Sequence, residues 1–241
     1  MFLTFDYRIR HQDIDCYRRL KPQVLESYLL DSAGQAADIL GIGYQVLLER
    51  RLTWVLIRLT MQMQQMPTLD EHITIKTWVA GFAHGLSPRY FLIYRNSESG
   101  ESELIGQAAS SWAIINLDTR QMENIFAEDI FQSIELHEPL ALAFARIRKA
   151  DYEQHQRHTI TYSDLDYNNH CNSCRYLEMM LNASSDILAD NSPIKIDLFY
   201  QHEIYRGDEV DIAFQTEEKQ TDYAVNLADG KTAVFGRIEK I

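Results

Sequence analysis

Only three cysteines, Cys16, Cys171 and Cys174, occur in the 241 residues. So few, and an odd number, give no disulfide framework and suit reduced thiols in a cytoplasm. Lysine and arginine number 23 against 35 aspartates and glutamates, for a formal net charge of -12 and a pI near 5.1. That balance argues against a nucleic-acid surface and against wide contact with an anionic membrane. No stretch approaches the run of about eighteen apolar residues that membrane insertion needs. The opening MFLTFDYRIRHQD alternates with charge where a signal peptide would carry an apolar block. What is present is an ordinary globular composition, 46% hydrophobic and 24% charged, able to bury a sizeable core in one large domain or two small ones.

Hydropathy patterning supplies the elements. Leu3, Phe5, Tyr7 and Ile9 alternate with polar residues as a half-buried strand. A helix follows, with Pro22 suited to its first turn. Leu25, Leu29, Ser32, Ala33, Ala36 and Leu40 line one face, and Gly41 and Gly43 end it. Strands are predicted over Thr53 to Met66 (Val55, Ile57, Leu59, Met61, Met63), Ile73 to Val79, Arg89 to Arg95 and Leu104 to Asn116, with turns at Pro67 to Asp70 and Asn96 to Gly100. From Glu123 to Tyr152 the alternation stops, apart from one short helix predicted at Ala127 to Ile134. The domain boundary belongs there: residues 1–135, a connector at 136–152, and residues 153–241.

After the connector the order begins again. An ungapped shift of 151 residues sets Asp13-Ile14-Asp15 on Asp164-Leu165-Asp166 and Ile9 on Ile160, and a shift of 138 sets Asp70-Glu71 on Asp208-Glu209 and Gln65 on Glu203. Two copies of strand, long helix and antiparallel sheet imply a duplicated α+β unit. The copies differ in chemistry. The first has Asp15, Tyr17 and Arg19 where the second has Asp166, Asn168 and His170, so the second half is the equipped one.

Tyr162 to Leu181, YSDLDYNNHCNSCRYLEMML, concentrates those residues. In an extended segment Asp166, Asn168 and His170 would project from one side. Leu177, Met180, Leu181, Ser184 and Leu188 then take up helical spacing, with Asn172 or Ser173 as N-cap. Free N–H groups in that helix's first turn would help to receive developing negative charge. Asp164 reads as a turn or cap residue. His170-Cys171-x-x-Cys174 has no second ligand pair at zinc spacing, so no metal or other cofactor is expected.

The segment SDLDYNNHCNSCRYLE, Ser163 to Glu178, resembles the SDLDxNxHVNxxxY segment of acyl-acyl carrier protein thioesterases, and Tyr200-Gln201-His202-Glu203 stands where that family carries a strand ending in a carboxylate. The resemblance implies a tandem double hotdog, each half a long helix wrapped by an antiparallel sheet, with the acyl chain held in the first half. It further implies hydrolysis of fatty acyl-acyl carrier protein and a site of Asp166, Asn168, His170 and Glu203. Two positions depart from the pattern. Ile204 follows the glutamate where many plant members have cysteine, and Cys171 replaces a valine.

The residue types suit that chemistry. Thioester hydrolysis needs an activated water or nucleophile, a donor for the carbonyl oxygen, and a group that orients the base. Asn168 offers a neutral amide donor. His170 can move a proton near working pH. Glu203 can activate water or attack directly, water activation being favoured here, and Asp166 accepts hydrogen bonds that orient its neighbours. Trp54, Met61, Met63, Trp78 and Trp112 are core residues that could also wall an acyl tunnel. Arg18-Arg19-Lys21, Arg50-Arg51 and Arg146-Arg148-Lys149 are solvated faces first, and weak docking candidates for an acidic carrier protein second. The sequence is silent on oligomeric state, and a homodimer stays open. Two other readings compete: a hotdog enzyme acting on acyl-coenzyme A (thioesterase or enoyl hydratase), and a non-catalytic acyl-binding module.

Overall fold

A computed structural model describes residues 1–97, 100–147, 150 and 152–241. The first half runs β1 (Leu3–Arg8), a 3-10 turn (His11–Asp13), α1 (Pro22–Ile39), α2 (Tyr44–Leu48), β2 (Leu52–Met63), β3 (His72–Val79), β4 (Leu86–Asn96), β5 (Ser102–Asn116) and β6 (Met122–Glu123). After α3 (Asp129–Gln132) the second half repeats the series. Its elements are β7 (Gln154–Thr159), a 3-10 turn (Tyr162–Asp164), α4 (Ser173–Ala183), a 3-10 turn (Asp186–Leu188), β8 (Ile194–Tyr200), β9 (Glu209–Thr216), β10 (Gln220–Leu227) and β11 (Thr232–Lys240). The tip of the expected Asn96 to Gly100 turn, at 98 and 99, lies outside the described residues, as do Arg148 and Lys149 of the third basic cluster.

The strands form one antiparallel sheet in the order β1-β3-β4-β5-β2-β8-β11-β10-β9-β7, with β6 on β5. This order reads as a mirror about its centre, each half contributing its strands in corresponding sequence. The halves join where β2 pairs with β8, from Arg58 opposite Phe199 to Met63 opposite Ile194. This is the duplicated α+β unit that the repeat implied, arranged as the tandem hotdog that the resemblance implied.

Helix α1 begins at Pro22, whose missing N–H costs nothing in a first turn. Past Leu40, Gly41 takes φ 73°, which only glycine adopts without strain, and Ile42 N–H bonds back to the Ala37 carbonyl at 3.0 Å to close the end. In α4, Asn172 is the N-cap, its side chain accepting from Cys174 N–H at 3.0 Å. The first-turn N–H at Cys174 is thereby taken up, which removes one of the groups expected to meet a developing charge.

Both helices lie on one face of the sheet, and one core joins them. Leu25, Leu29 and Ala33 of α1, Leu177 and Met180 of α4, and Met61, Met63, Ile75, Phe91, Ile196 and Val234 of the strands belong to the same buried cluster. Each fully buried aliphatic side chain there contributes about 1.5–3 kcal/mol. A bulge between Leu56 and Arg58 corrects the simple alternation expected for β2. The extra residue moves Leu56, and not Ile57, into the core with Leu59, Met61 and Met63. Trp78 is a buried core residue, as expected. Its neighbours Thr77 and Val79 are buried on the inner side, while its indole meets the rings of Phe2 and Tyr90 and donates to the Glu138 carbonyl at 3.0 Å.

One carboxyl sits inside this core. Glu26 of α1 is fully buried and accepts from the Tyr200 hydroxyl at 2.7 Å. Burial raises its pKa from 4.5 to about 7, against the lowering effect of the Tyr200 and Ser173 hydroxyls. A carboxylate whose folded pKa is raised destabilises the fold once it ionises, so stability falls as pH climbs from about 4.5 through about 7. At about 1.4 kcal/mol per unit this amounts to about 3 kcal/mol at pH 8. Glu26→Gln keeps the acceptor for Tyr200 and is therefore expected to stabilise at pH 8 and to change little at pH 5. Denaturant melts at the two pH values check this, and an equal gain at both would reject a raised pKa.

Candidate active site

The stretch from Leu165 to Asn172 is a tight loop between a 3-10 turn and α4, not the extended segment that alternation suggested. Asp166 builds it. Its Oδ1 accepts from the backbone N–H groups of Asn168 at 2.8 Å and His170 at 3.1 Å, and its own N–H donates to the His170 carbonyl at 2.8 Å. Asn169 takes φ 67° at the reversal, a conformation that asparagine tolerates better than most residues. Asp166 thus serves the backbone, and the segment D-Y-N-N is a turn signature that outranks its apparent alternation.

Asp164 supports the same loop from below. Burial pushes its carboxyl up, but bonds from the Thr161 N–H at 2.8 Å and hydroxyl at 2.9 Å, with His158 Nε2 at 3.1 Å, outweigh this and hold it below the usual range. It is the cap residue expected.

His170 and Glu203 meet. His170 Nδ1 lies 3.4 Å from Glu203 Oε1, and both side chains are partly open to solvent. Glu203 lies beyond the end of β8, not within a strand as expected. It is held because Cys171 N–H donates to the Ile204 carbonyl at 2.8 Å and His170 bridges to Tyr205. Two residues that sequence reasoning passed over complete the surroundings. The Tyr205 hydroxyl donates to Glu203 Oε2 at 2.9 Å, its ring standing edge-on to His170, and the Arg120 guanidinium from the first half pairs with the same oxygen. Tyr205 stands two places after the glutamate and was within reach of inspection. Arg120 carries no local signal beyond a turn.

Asn168 is exposed at the tip of the loop beside Tyr167, whose ring packs edge-on against Tyr44 of α2. Its amide takes no part in the backbone bonds that shape the loop. The two thiols of this segment, Cys171 and Cys174, are poor nucleophiles. Burial pushes Cys171 up to about 12, with the Asp164 charge adding to it, and burial together with the Glu26 charge pushes Cys174 higher still. Among the described residues no group of three His, Cys, Asp or Glu side chains is placed to hold a metal.

The corresponding place in the first half shows the loop without the chemistry. Asp15 Oδ1 accepts from Tyr17 and Arg19 N–H at 2.8 and 3.0 Å, and Arg18 takes φ 63°. Arg19 stands where His170 does, but it donates to the carbonyls of Leu188 and Asp190 and fills the space. The register expected for Gln65 needs correction. Leu20 N–H donates to the Pro67 carbonyl as Cys171 does to Ile204, Arg19 bridges Thr68 as His170 bridges Tyr205, and Ile9 reaches Glu71 as Ile160 reaches Asp208. Each pair is one residue off the 138 shift. Met66, not Gln65, therefore occupies the place of Glu203, and Gln65 instead accepts from Arg95 at 2.6 Å. In the first two basic clusters three arginines are engaged: Arg19 is buried, Arg50 pairs with Glu128 and Arg51 with Asp118.

Fold and site together define a double hotdog with one furnished loop. The family models for the acyl-ACP thioesterase N-terminal domain and C-terminal domain match residues 3–134 and 147–239, and the chain belongs to that family. The structure resembles an acyl-ACP thioesterase from Bacteroides thetaiotaomicron at 28% identity with a TM-score of 0.88, over 99% of this chain and 97% of the other. It shares its fold with the 12:0-ACP thioesterase from Umbellularia californica at a TM-score of 0.84 and 18% identity, over 99% of this chain and 96% of that one. In sequence it is 26% identical over 93% of its length to a chloroplastic palmitoyl-acyl carrier protein thioesterase of Gossypium hirsutum, of which it spans 57%. It spans 62% of the Arabidopsis thaliana protein of the same description, at 24% identity over 97% of this chain.

Proposed function

We propose that this protein hydrolyses the thioester of fatty acyl-acyl carrier protein, releasing free fatty acid and so terminating fatty acid synthesis. The observation that carries this reading is the 3.4 Å approach of His170 Nδ1 to Glu203 Oε1, at two positions whose first-half counterparts are Arg19 and Met66. Water held by this pair gives a proton to Glu203, which shares it with the His170 imidazole, as its oxygen attacks the carbonyl carbon. The amide of Asn168 donates to the carbonyl oxygen as it becomes negative. The C–S bond then breaks, and the imidazole returns a proton to the departing thiolate. Asp166 acts on the backbone of the loop and not on substrate. A cysteine nucleophile has no support, since Ile204 follows Glu203 and Cys171 is a buried, weakly acidic thiol.

In this reading residues 1–135 hold the acyl chain, 136–152 connect, and 153–241 carry the chemistry. Met61 and Met63, buried in the core cluster that both helices share, have unbranched thioethers able to repack around an alkyl chain. The three free thiols suit a reducing cytoplasm.

Purified protein offered matched acyl carrier protein and coenzyme A thioesters of several chain lengths is expected to release fatty acid with the higher kcat/KM from the carrier-protein series. A preference for the coenzyme A series would replace this substrate with the alternative, and no release from either would leave an acyl-binding module.

A further inference from the structure

Glu203 is held from across the molecule. Arg120 belongs to the turn that follows β5 in the first half, yet its guanidinium closes on Glu203 Oε2 in the second. The turn is firmly built. Asn116 Oδ1 accepts from the N–H groups of Asp118 and Thr119 at 2.9 and 3.0 Å, Arg120 N–H donates to the Asn116 carbonyl at 2.9 Å, and Arg120 itself takes φ 59°. A second arginine braces it: Arg51 contacts the Asp118 carboxylate at 2.5 and 3.3 Å, and its carbonyl accepts from Leu117 N–H at 2.8 Å. A long side chain on such a base gives up less freedom in reaching its partner.

The two oxygens of Glu203 have different surroundings. Oε2 takes both the Arg120 guanidinium and the Tyr205 hydroxyl, whereas Oε1 faces His170. Two donors on one oxygen fix the rotation of a carboxylate that is otherwise partly open to solvent, and they direct the other oxygen to the imidazole. Arginine suits this task because it stays charged and its planar fork sets direction as well as attraction.

We infer that Arg120 is a positioning residue for Glu203, supplied by the first half, so that the site is assembled from both halves and not from the second alone. This inference rests on Glu203 acting in hydrolysis, as proposed above. Arg120 does not touch the reacting atoms, and its effect passes through the orientation of the carboxylate.

Arg120→Ala is expected to lower kcat about tenfold to a hundredfold, the size of loss that misplacing a reacting group produces, while KM stays within about threefold. Arg120→Lys restores the charge without the fork and is expected to recover part of the loss. Guanidinium ion added below denaturing concentration is expected to raise the rate of Arg120→Ala but not that of the parent or of Glu203→Ala. Melting temperatures of all variants establish that the fold is intact; if Arg120→Ala does not fold, Arg120→Gln with the same guanidinium addition takes its place. Parental turnover in a folded Arg120 variant, a loss confined to KM, or failure of both lysine and guanidinium to recover activity would each overturn the inference. Glu203→Ala separates the two levels. If it turns over normally, the proposed mechanism fails and Arg120 falls with it; if it is inactive while Arg120→Ala is normal, only the role of Arg120 fails.

Discussion

Glu203→Ala and His170→Ala are each expected to lower kcat by about a hundredfold to ten-thousandfold, the range for loss of a positioned general base. The two losses are not expected to add. The residues face one another at 3.4 Å and would serve the same proton movement, so the double variant should be scarcely worse than the poorer single one. Neither change should unfold the protein. Both side chains are partly exposed, and Arg120, left without its carboxylate, is itself 45% exposed and can be hydrated. Single-turnover rates on acyl carrier protein substrates, measured with melting curves, decide the matter. Near-normal turnover in Glu203→Ala would take the carboxylate out of the mechanism, and additive losses would place the two residues in different steps.

Much of this arrangement can be read from the chain. Periodicity located β1, α1, the following strands and α4 because each buries one face, and burial on one face is what leaves a period in a sequence. The repeat was visible because Asp13 and Asp15 perform in the first half the backbone tasks that Asp164 and Asp166 perform in the second. Each accepts N–H groups at its own loop, so both copies need a carboxylate there.

The failures have equally definite causes. The 138 shift matched Asp70-Glu71 to Asp208-Glu209 by residue identity, but register in this fold is fixed by backbone bonds and by the residue that turns the chain. Asp70 at φ 65° corresponds to Gly207 at φ 89°, an equivalence that residue identity conceals. The bulge in β2 was hidden because Val55 and Ile57 are apolar on the less buried face too. Arg120 had no legible role at all: its partner lies in the other half, and only the closing of β2 against β8 brings the turn after β5 to the segment that follows β8. A residue whose function depends on that join leaves no trace in local spacing.

Asn168 and Asp166, two residues apart in one loop, should fail in different ways. Asn168 supports the turn through its backbone N–H, which donates to Asp166 Oδ1 at 2.8 Å and which alanine retains, while its amide hydrogen-bonds only the exposed Tyr167 hydroxyl beside it. Asn168→Ala is therefore expected to keep the parental melting temperature and to lose about a hundredfold or more in kcat, the cost of removing one oxyanion donor. Asp166→Ala removes the acceptor of both the Asn168 and the His170 N–H groups, and the loop loses the bonds that set the imidazole. Its loss of activity should come with a fall in stability of about 1–2 kcal/mol, as for other carboxylates that cap backbone N–H groups. Asp15→Ala in the first half makes the control, since it breaks the same two bonds where Arg19 replaces the histidine. It should lose stability and keep its turnover within several-fold. Rates and melting curves on the three variants test the division of labour together: an Asn168→Ala that hydrolyses at the parental rate would leave the oxyanion without this donor, and an Asp15→Ala that loses activity while folded would mean that the first-half loop takes part in the reaction.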